Sequence, residues 1–584
     1  MKLIFKYIGK HKNVILIAII IKLFATLSEL LLPYILEHIV DHVVLTNDLK
    51  QVLFWGMLMF VTAITTRMLN VTANGKAIDN AHTISYEIRQ ALFEKTMALT
   101  GSQFDSIGLP SLISRMTSDS YNVQSAVQQI QSLCIRAPMM LIGGVIVAMV
   151  MDFQLAMVML IMLPVLIVII LTVSSKGIPM YTKVQQKLDV IVRIMRENIT
   201  GIRVVKALSK EDYEIRRFAD ANRDMTKTDI SAATVMAIPG PLMQLFLNIG
   251  LSVVVLYGSY RVNQGFIKPG VILAFLTYFN MIAMGVMGLN RIFMTMSKAS
   301  ASADRIYAVM QTKEEKPKII DAQDETETDD MIVFDHVDFS YGKGSNNKED
   351  FAGEEREKAL YDITFSMKKG ESLGIIGPTG CGKTTIINLL MHFYDPDQGK
   401  VLVEGKPVSS YQKQELRRKF GTVFQNDMIF QDTLHENIDF GRNLEDEHID
   451  DAVGAAMAKE FIDSLDEGLD YMAAIKGANL SGGQKQRLYV ARALAAKPEI
   501  LILDDSSSAL DYKTDAAMRN AINKYYPETT LIMIAQRVSS VMNMDKILVL
   551  DNGKCIGYGD HATLLETCDA YREIYEIQMG AMQG

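Results

Sequence analysis

Eight consecutive residues carry the clearest chemistry in this chain: Gly377, Pro378, Thr379, Gly380, Cys381, Gly382, Lys383 and Thr384. Glycines at these intervals let backbone N–H groups wrap a cluster of anionic oxygens without Cβ clashes. Lys383 offers a positive charge for the outer phosphates of a nucleotide, and Thr384 a hydroxyl for Mg²⁺. Cys381 reads as a small residue that the loop tolerates. A second group is Ile500–Asp504, four apolar residues ending in an acid. That is the pattern of a buried parallel strand with a carboxylate at its C-terminal edge, where Asp504 would serve Mg²⁺. A third group is Leu480, Ser481, Gly482, Gly483 and Gln484, which opens the helical run Lys485–Ala496. A hydroxyl, two unshielded N–H groups and a helix N-terminus make a second anion-binding surface there. One chain cannot easily fold both surfaces onto one nucleotide.

These groups need elements to carry them. The apolar run Leu373–Ile376 precedes the glycine loop as a strand, and Thr385–Phe393 follows as a helix presenting its positive end. From residue 331 to 584, short β-branched runs alternate with helical patterns, which predicts an α/β domain with a largely parallel sheet. Residues 311–330 are charged and poor in apolar side chains, and read as a solvated linker. The insertion Gly342–Lys358 reads as a solvated loop.

Residues 1–310 obey different physics. Six long apolar stretches lie near 13–36, 53–75, 133–151, 154–174, 234–258 and 270–293. About 20 apolar residues in a helix cross a bilayer, and only a helix satisfies every backbone group inside lipid at this length. Met151–Phe153 is the expected tight turn between the third and fourth spans, while Lys22, Glu29 and Pro239-Gly240-Pro241 interrupt the first and fifth. Lysines at 2, 6, 10 and 12 and the basic stretch 176–227 contrast with loops at 37–52, 151–153 and 259–269 that hold only Lys50, Arg261 and Lys268. That asymmetry places both termini in the cytoplasm, in a multi-pass protein of the cell membrane. Trp55 falls at the outer end of the second span as an interfacial anchor. The connections near 76–130 and 175–232 are too long for turns and read as helices extended into the cytoplasm. Their tips, Phe104–Arg115 (broken by Gly108 and Pro110) and Lys206–Phe218, are expected to touch a soluble domain.

Composition agrees. The chain has 584 residues, 49% hydrophobic, and a net charge of −8, which argues against a nucleic-acid partner held by phosphate attraction. Its 4 cysteines form no CxxC pair, so neither a zinc site nor a disulfide framework is expected. The 36 methionines fit lipid-facing filler better than a promiscuous pocket. Among charges inside spans, Lys22 and Glu29 share one helix face, and Arg67, Arg136 and Arg291 lie within or at the ends of others. Glu29 is the candidate for a substrate contact, against the alternatives of an ion pair within the bundle or a snorkelling side chain.

With LSGGQ about a hundred residues after a phosphate loop, the sequence resembles the ATP-binding cassette (ABC) family, and the resemblance covers essentially the whole chain. It implies six transmembrane helices with long cytoplasmic extensions followed by an α/β P-loop cassette domain, the half-transporter layout of ABC exporters. It implies ATP and Mg²⁺ as cofactors, held by Gly377 through Thr385. Tyr341 in Phe339-Ser340-Tyr341 looks like the aromatic on which adenine stacks. Gln425 looks like the glutamine that senses Mg²⁺ and touches the membrane domain. Ser508-Ala509-Leu510-Asp511 looks like the loop that contacts the partner subunit. The resemblance further implies that Ser481–Gln484 of one subunit cover the ATP of the other.

Two catalytic positions depart from that pattern. Where the family places Glu after the Mg²⁺ aspartate as general base, this chain has Asp505, one methylene shorter. Where it places a His on the γ-phosphate, this chain has Gln536, which can donate a hydrogen bond but carries no imidazole charge. Ile475–Asn479, ahead of LSGGQ, lacks the acid many exporters have. Every ATP-binding position survives, so the pattern resembles the degenerate half of a heterodimeric multidrug exporter. Such a half binds ATP, hydrolyses it weakly, and lends its signature to a separate, homologous partner. The expected cargo is an amphipathic or hydrophobic small molecule. The alternatives are a homodimeric lipid or peptide exporter with slow hydrolysis and an ATP-gated regulatory membrane protein.

Overall fold

A computed structural model describes residues 1–312, 328–342, 358–505, 510 and 512–583. Most of the 311–330 stretch, the interior of the Gly342–Lys358 insertion, and Ser508, Ala509 and Asp511 lie outside the described residues. The chain divides into two compact units: Met1–Met97 with Leu112–Thr312, and Ala98–Ser111 with the described residues of Lys313–Gly584.

The first unit is helical. A short helix, α1 (Lys2–Lys10), leads into α2 (Lys12–Thr46) and α3 (Leu49–Met97). After the second unit's helix α4 (Gly101–Ile107) come α5 (Leu109–Met151), α6 (Phe153–Thr200), α7 (Glu211–Asn263) and α8 (Pro269–Met310). Five of these, α2, α3, α5, α7 and α8, are long and apolar enough to cross a membrane. The remaining expected span falls on α6, whose described apolar stretch is Phe153–Ile169. The turn between α5 and α6 sits on Asp152, which is extended (φ −155°, ψ 114°) and caps α6 by accepting from the Leu155 N–H at 2.8 Å. Pro239-Gly240-Pro241 does not end α7. The prolines fall in the first turn of its second segment, where a missing N–H is harmless.

Charges inside this unit find partners in it. Glu29 Oε1 accepts from Arg136 Nη2 at 2.8 Å, so the ion pair is what forms. Lys22, on the same face, does not meet Glu29; its ammonium donates to Asn70 and Asn74 at 2.8 and 3.0 Å. Trp55 packs on His38, with ring centroids 4.3 Å apart. The tip Lys206–Phe218 belongs to this unit and is bent at Ser209 (φ 50°).

The second unit is built on a ten-stranded sheet in the order β5-β4-β1-β2-β10-β9-β3-β8-β7-β6. The strands are β1 (Asp330–Ser340), β2 (Lys358–Lys368), β3 (Ser372–Ile376), β4 (Gln398–Val403), β5 (Lys406–Pro407), β6 (Phe420–Val423), β7 (Ile500–Asp504), β8 (Thr530–Ile534), β9 (Lys546–Asp551) and β10 (Lys554–Gly559). Only β9-β3-β8-β7-β6 form a continuous parallel block; β1, β2, β4 and β5 pair antiparallel. The expectation of a largely parallel sheet thus holds for one half. β7 and β8 are buried at every position, as strands covered on both faces must be. β1 has exposed residues among its buried ones, the mark of a strand with a wetter face.

Candidate functional site

Parallel strands expose their carboxyl ends along one edge, and ligands gather there. In this sheet β3, β8, β7 and β6 are adjacent. The glycine loop follows β3, Gln536 follows β8, Asp504 ends β7 with Asp505 after it, and Gln425 follows β6. Sequence positions separated by more than a hundred residues are thereby brought to one edge. They line a cavity of about 760 Å³ together with Tyr341, Thr379, Gly380, Gly382, Lys383, Thr384 and Thr385.

The loop needs its glycines. A Cβ on Gly377 would stand 2.2 Å from the Leu550 carbonyl oxygen. Gly382 has φ 102°, and a Cβ there would lie 2.6 Å from Leu360 Cδ2. The Lys383 ammonium folds back to donate to the carbonyls of Gly377 and Pro378 at 2.8 and 2.7 Å, which places its charge inside the loop. Cys381 is buried beneath it, and burial pushes its thiol pKa up. The following helix, α9 (Lys383–Leu390), is shorter than expected, because His392 takes φ 52° and turns the chain.

Thr384 Oγ1 donates to Asp504 Oδ2 at 2.9 Å, so the two groups expected to serve a metal touch each other. Asp504 is 2% exposed. Burial pushes its carboxyl above the ordinary range; the Thr384 hydrogen bond and Lys383 oppose this, while Asp505 adds to it. Tyr341 is fixed by its hydroxyl, which donates to Thr385 Oγ1 at 3.1 Å and accepts from Asn388 at 3.2 Å. Its ring also meets Tyr394 edge-on, centroids 5.3 Å apart.

Asp505 sits in left-handed backbone (φ 50°), a conformation Asp tolerates better than most residues. Its N–H donates to the Ile534 carbonyl at 3.0 Å. Its Oδ2 accepts from Gln536 Nε2 at 3.2 Å, so the two positions that depart from the family pattern are hydrogen-bonded to each other. Burial raises the Asp505 pKa, against the charges of Lys383 and Arg537.

The signature lies elsewhere. Ser481, Gly482, Gly483 and Gln484 are not among the cavity's lining residues. They open α10 (Gly482–Leu494) with a reciprocal capping box: Ser481 Oγ accepts from Gln484 N at 3.3 Å, and Gln484 Oε1 from Ser481 N at 2.8 Å. Asn479, at the place of the missing acid, closes the preceding loop by accepting from Ala474 N at 2.8 Å.

Three residues near the site had not been singled out from the sequence. Gln486 donates to the Asp505 carbonyl at 3.4 Å, two residues after the signature. Tyr394 hydrogen-bonds Asp105 on α4, and a Cβ on Gly101 would stand 2.9 Å from the Phe393 carbonyl oxygen. The first predicted tip therefore lies in the second unit from Phe104 to Ser111, while its last residues, Leu112–Arg115, belong to the first. Gln578 contacts the Gln536 segment from the end of the chain, with no local signal to mark it.

Comparison with known proteins places both units in one family. The model of the ABC transporter transmembrane region matches residues 15–286, and that of the ABC transporter domain matches residues 360–508. An uncharacterized ABC transporter ATP-binding protein, YfiB of Bacillus subtilis (strain 168), is 33% identical over 568 residues, 97% of this chain and 96% of its own. An ATP-dependent lipid A-core flippase of Syntrophus aciditrophicus (strain SB) is 30% identical over 496 residues, 84% of this chain and 80% of its own. The solved structure of a bacterial Atm1-family ABC exporter with ATP bound shares the fold, with a TM-score of 0.79 at 21% identity, covering 97% of this chain and 98% of that one. With its membrane helices and its ATP-binding domain in a single polypeptide, the chain belongs to the ABC transporters and has the fold of an exporter half.

Proposed function

We propose that this chain is the degenerate-site half of a heterodimeric ATP-driven exporter. Tyr341, Gly377–Thr385 and Gln425 hold ATP, and Thr384, Gln425 and Asp504 hold Mg²⁺. The donor set fits the metal, because a hydroxyl and a buried carboxylate already meet at 2.9 Å on the cavity wall. Bound Mg²⁺ supplies positive charge against the phosphate oxygens.

The observation that carries the weak-hydrolysis reading is the Asp505–Gln536 hydrogen bond of 3.2 Å. Among the described residues lining the cavity, the carboxylate beside Asp504 is that of Asp505, one methylene short and already accepting from a neutral amide. A general base must reach and take a proton from the attacking water, and misplacing it forfeits on the order of 10²–10⁴ in rate. The capped Ser481–Gln484 turn, apart from the chain's own cavity, suits a surface offered to a partner's ATP.

ATP drives transport by binding the closed state more tightly than the open one. Closure at the cavity reaches α4 through Tyr394, which touches both Tyr341 and Asp105. The lysine asymmetry supports a cell-membrane protein with both termini in the cytoplasm. Membrane charges that partner each other leave apolar surface for an amphipathic or hydrophobic cargo. A second reading, a self-paired lipid exporter with slow hydrolysis, draws on the similarity to a lipid A-core flippase.

The test is ATPase activity of the purified chain alone and with a homologous half carrying Glu and His at the positions of Asp505 and Gln536. Turnover is expected only with the partner. Brisk turnover from a self-paired assembly overturns the proposal.

A further inference from the structure

We infer that Gln578, on the C-terminal helix α11 (Asp569–Gln583), is a positioning residue for the Asp505–Gln536 pair. Gln578 Nε2 donates to the Gln536 carbonyl at 3.0 Å, and Gln578 Oε1 accepts from the Val538 N–H at 2.7 Å. Only one orientation of the amide satisfies both bonds. Together they fix the peptide groups on either side of Arg537.

The clasp has something to hold. Gln536 is exposed, and its own side chain reaches Asp505 from a segment that leaves β8 and enters the short helix Val538–Val541. Ala535 and Val538 on either side are buried, so the exposed Gln536 and Arg537 are the part of the segment that gains rotamer and backbone freedom when the clasp is lost. α11 is a firm base, because Tyr571 at its start is fully buried and Ile574 and Tyr575 pack on the core. The hydrogen-bonded chain runs from Gln578 through the Gln536 backbone to the Gln536 amide and then to the Asp505 carboxylate. Gln578 is not among the cavity's lining residues; it acts by aiming residue 536. The inference rests on the reading of Asp505 and Gln536 as the hydrolytic positions.

The experiment uses the full-length chain in nanodiscs in two backgrounds, unchanged and with Asp505→Glu plus Gln536→His. Each receives Gln578→Leu or Gln578→Glu; the latter keeps the acceptor for Val538 N–H and loses the donor to Gln536. Single-turnover hydrolysis of radiolabelled ATP and binding of a fluorescent ATP analogue are measured. The hydrolysis rate is expected to fall about tenfold or more in Gln578→Leu, as for a displaced catalytic group, with nucleotide affinity within about twofold. Gln578→Glu is expected to fall between. An unchanged rate in the faster background overturns the inference, as does a loss of ATP binding that parallels the rate. A Gln578→Glu rate equal to that of the parent rejects the donor half of the clasp. If neither background turns over measurably, amide hydrogen exchange at Val538 decides: equal protection with and without the Gln578 amide overturns the inference. Brisk turnover in the unchanged chain would sink the weak-site reading alone, and the Gln578 variants would still report in that background.

Discussion

Asp41 in the membrane unit and Asp504 in the nucleotide unit are both buried carboxylates, and they are satisfied differently. In the membrane unit Lys22 and Asp41 are buried and closed by protein, while the half-buried Glu29 is paired through one of its two oxygens. Glu29 meets Arg136, Lys22 meets two asparagines, and Asp41, 1% exposed, accepts from the N–H groups of Gly270 and Val271. In the nucleotide unit, Asp504 is as deeply buried but has one hydroxyl as its hydrogen-bond partner, and its pKa is raised. Asp41 is bound into the fold by backbone N–H groups, whereas Asp504 lines a cavity with one hydroxyl as its partner. Lipid offers no counter-ion, so the membrane unit must neutralise itself. A carboxylate at the end of a parallel strand faces a cavity where a metal can complete it.

The contrast can be attacked at its strongest point first. Replacing Asp505 by Glu and Gln536 by His together is expected to raise single-turnover ATP hydrolysis by about 10²-fold, the lower end of general-base effects. No change would mean that the pair does not limit the rate. On the membrane side, Arg136→Leu leaves Glu29 unpaired and should cost about 3 kcal/mol of stability, with Glu29→Leu/Arg136→Leu recovering most of it. Thermal unfolding in nanodiscs reads this, and a double variant no better than the single one would break the claim that the pair is self-contained. Lys383→Ala removes a charge from the phosphate loop and should weaken ATP binding by about 1.5–3 kcal/mol, measured by titration.

A pH series sharpens the same comparison. The raised Asp504 pKa means that protons compete with Mg²⁺ there. Affinity for Mg·ATP should fall as pH drops through that raised value, and Asp504→Asn should lose this dependence. The sign for the metal-free fold is opposite. A carboxyl that holds its proton more tightly when folded adds stability in acid, and that contribution is lost as pH rises through the folded pKa. The smallest effect is expected from Tyr394→Phe. It removes the Asp105 hydrogen bond but keeps the ring, costing about 0.5–1.5 kcal/mol, read as reduced stimulation of ATPase by transported compounds.

Much of this was legible in local pattern. Gly377–Thr384 announce their chemistry because few residue types permit that backbone, and the long apolar stretches because lipid leaves them no fold but a helix. Asp504 was legible once a buried strand was seen to end in an acid. Other features were not. Glu29 could be read as facing substrate or as closing an ion pair of unnamed partner, since an ion pair depends on which helices neighbour each other. The shift from the parallel block to antiparallel pairing at β9–β10 follows from strand order, which one strand's sequence does not encode.

The sequence alone determined which groups this protein possesses: a glycine-rich phosphate loop, a carboxylate at the end of a buried strand, a signature, membrane spans, and Asp and Gln at two positions that depart from the family pattern. Only the tertiary structure decided which of them meet. Asp505 and Gln536 looked like two separate departures; placed at the ends of adjacent strands β7 and β8, they become one hydrogen-bonded pair, and Gln578 reaches it from the far end of the chain. The reason is that residue type is a local property, whereas a hydrogen bond of 3.2 Å depends on how the whole sheet is ordered and on what packs at its edge.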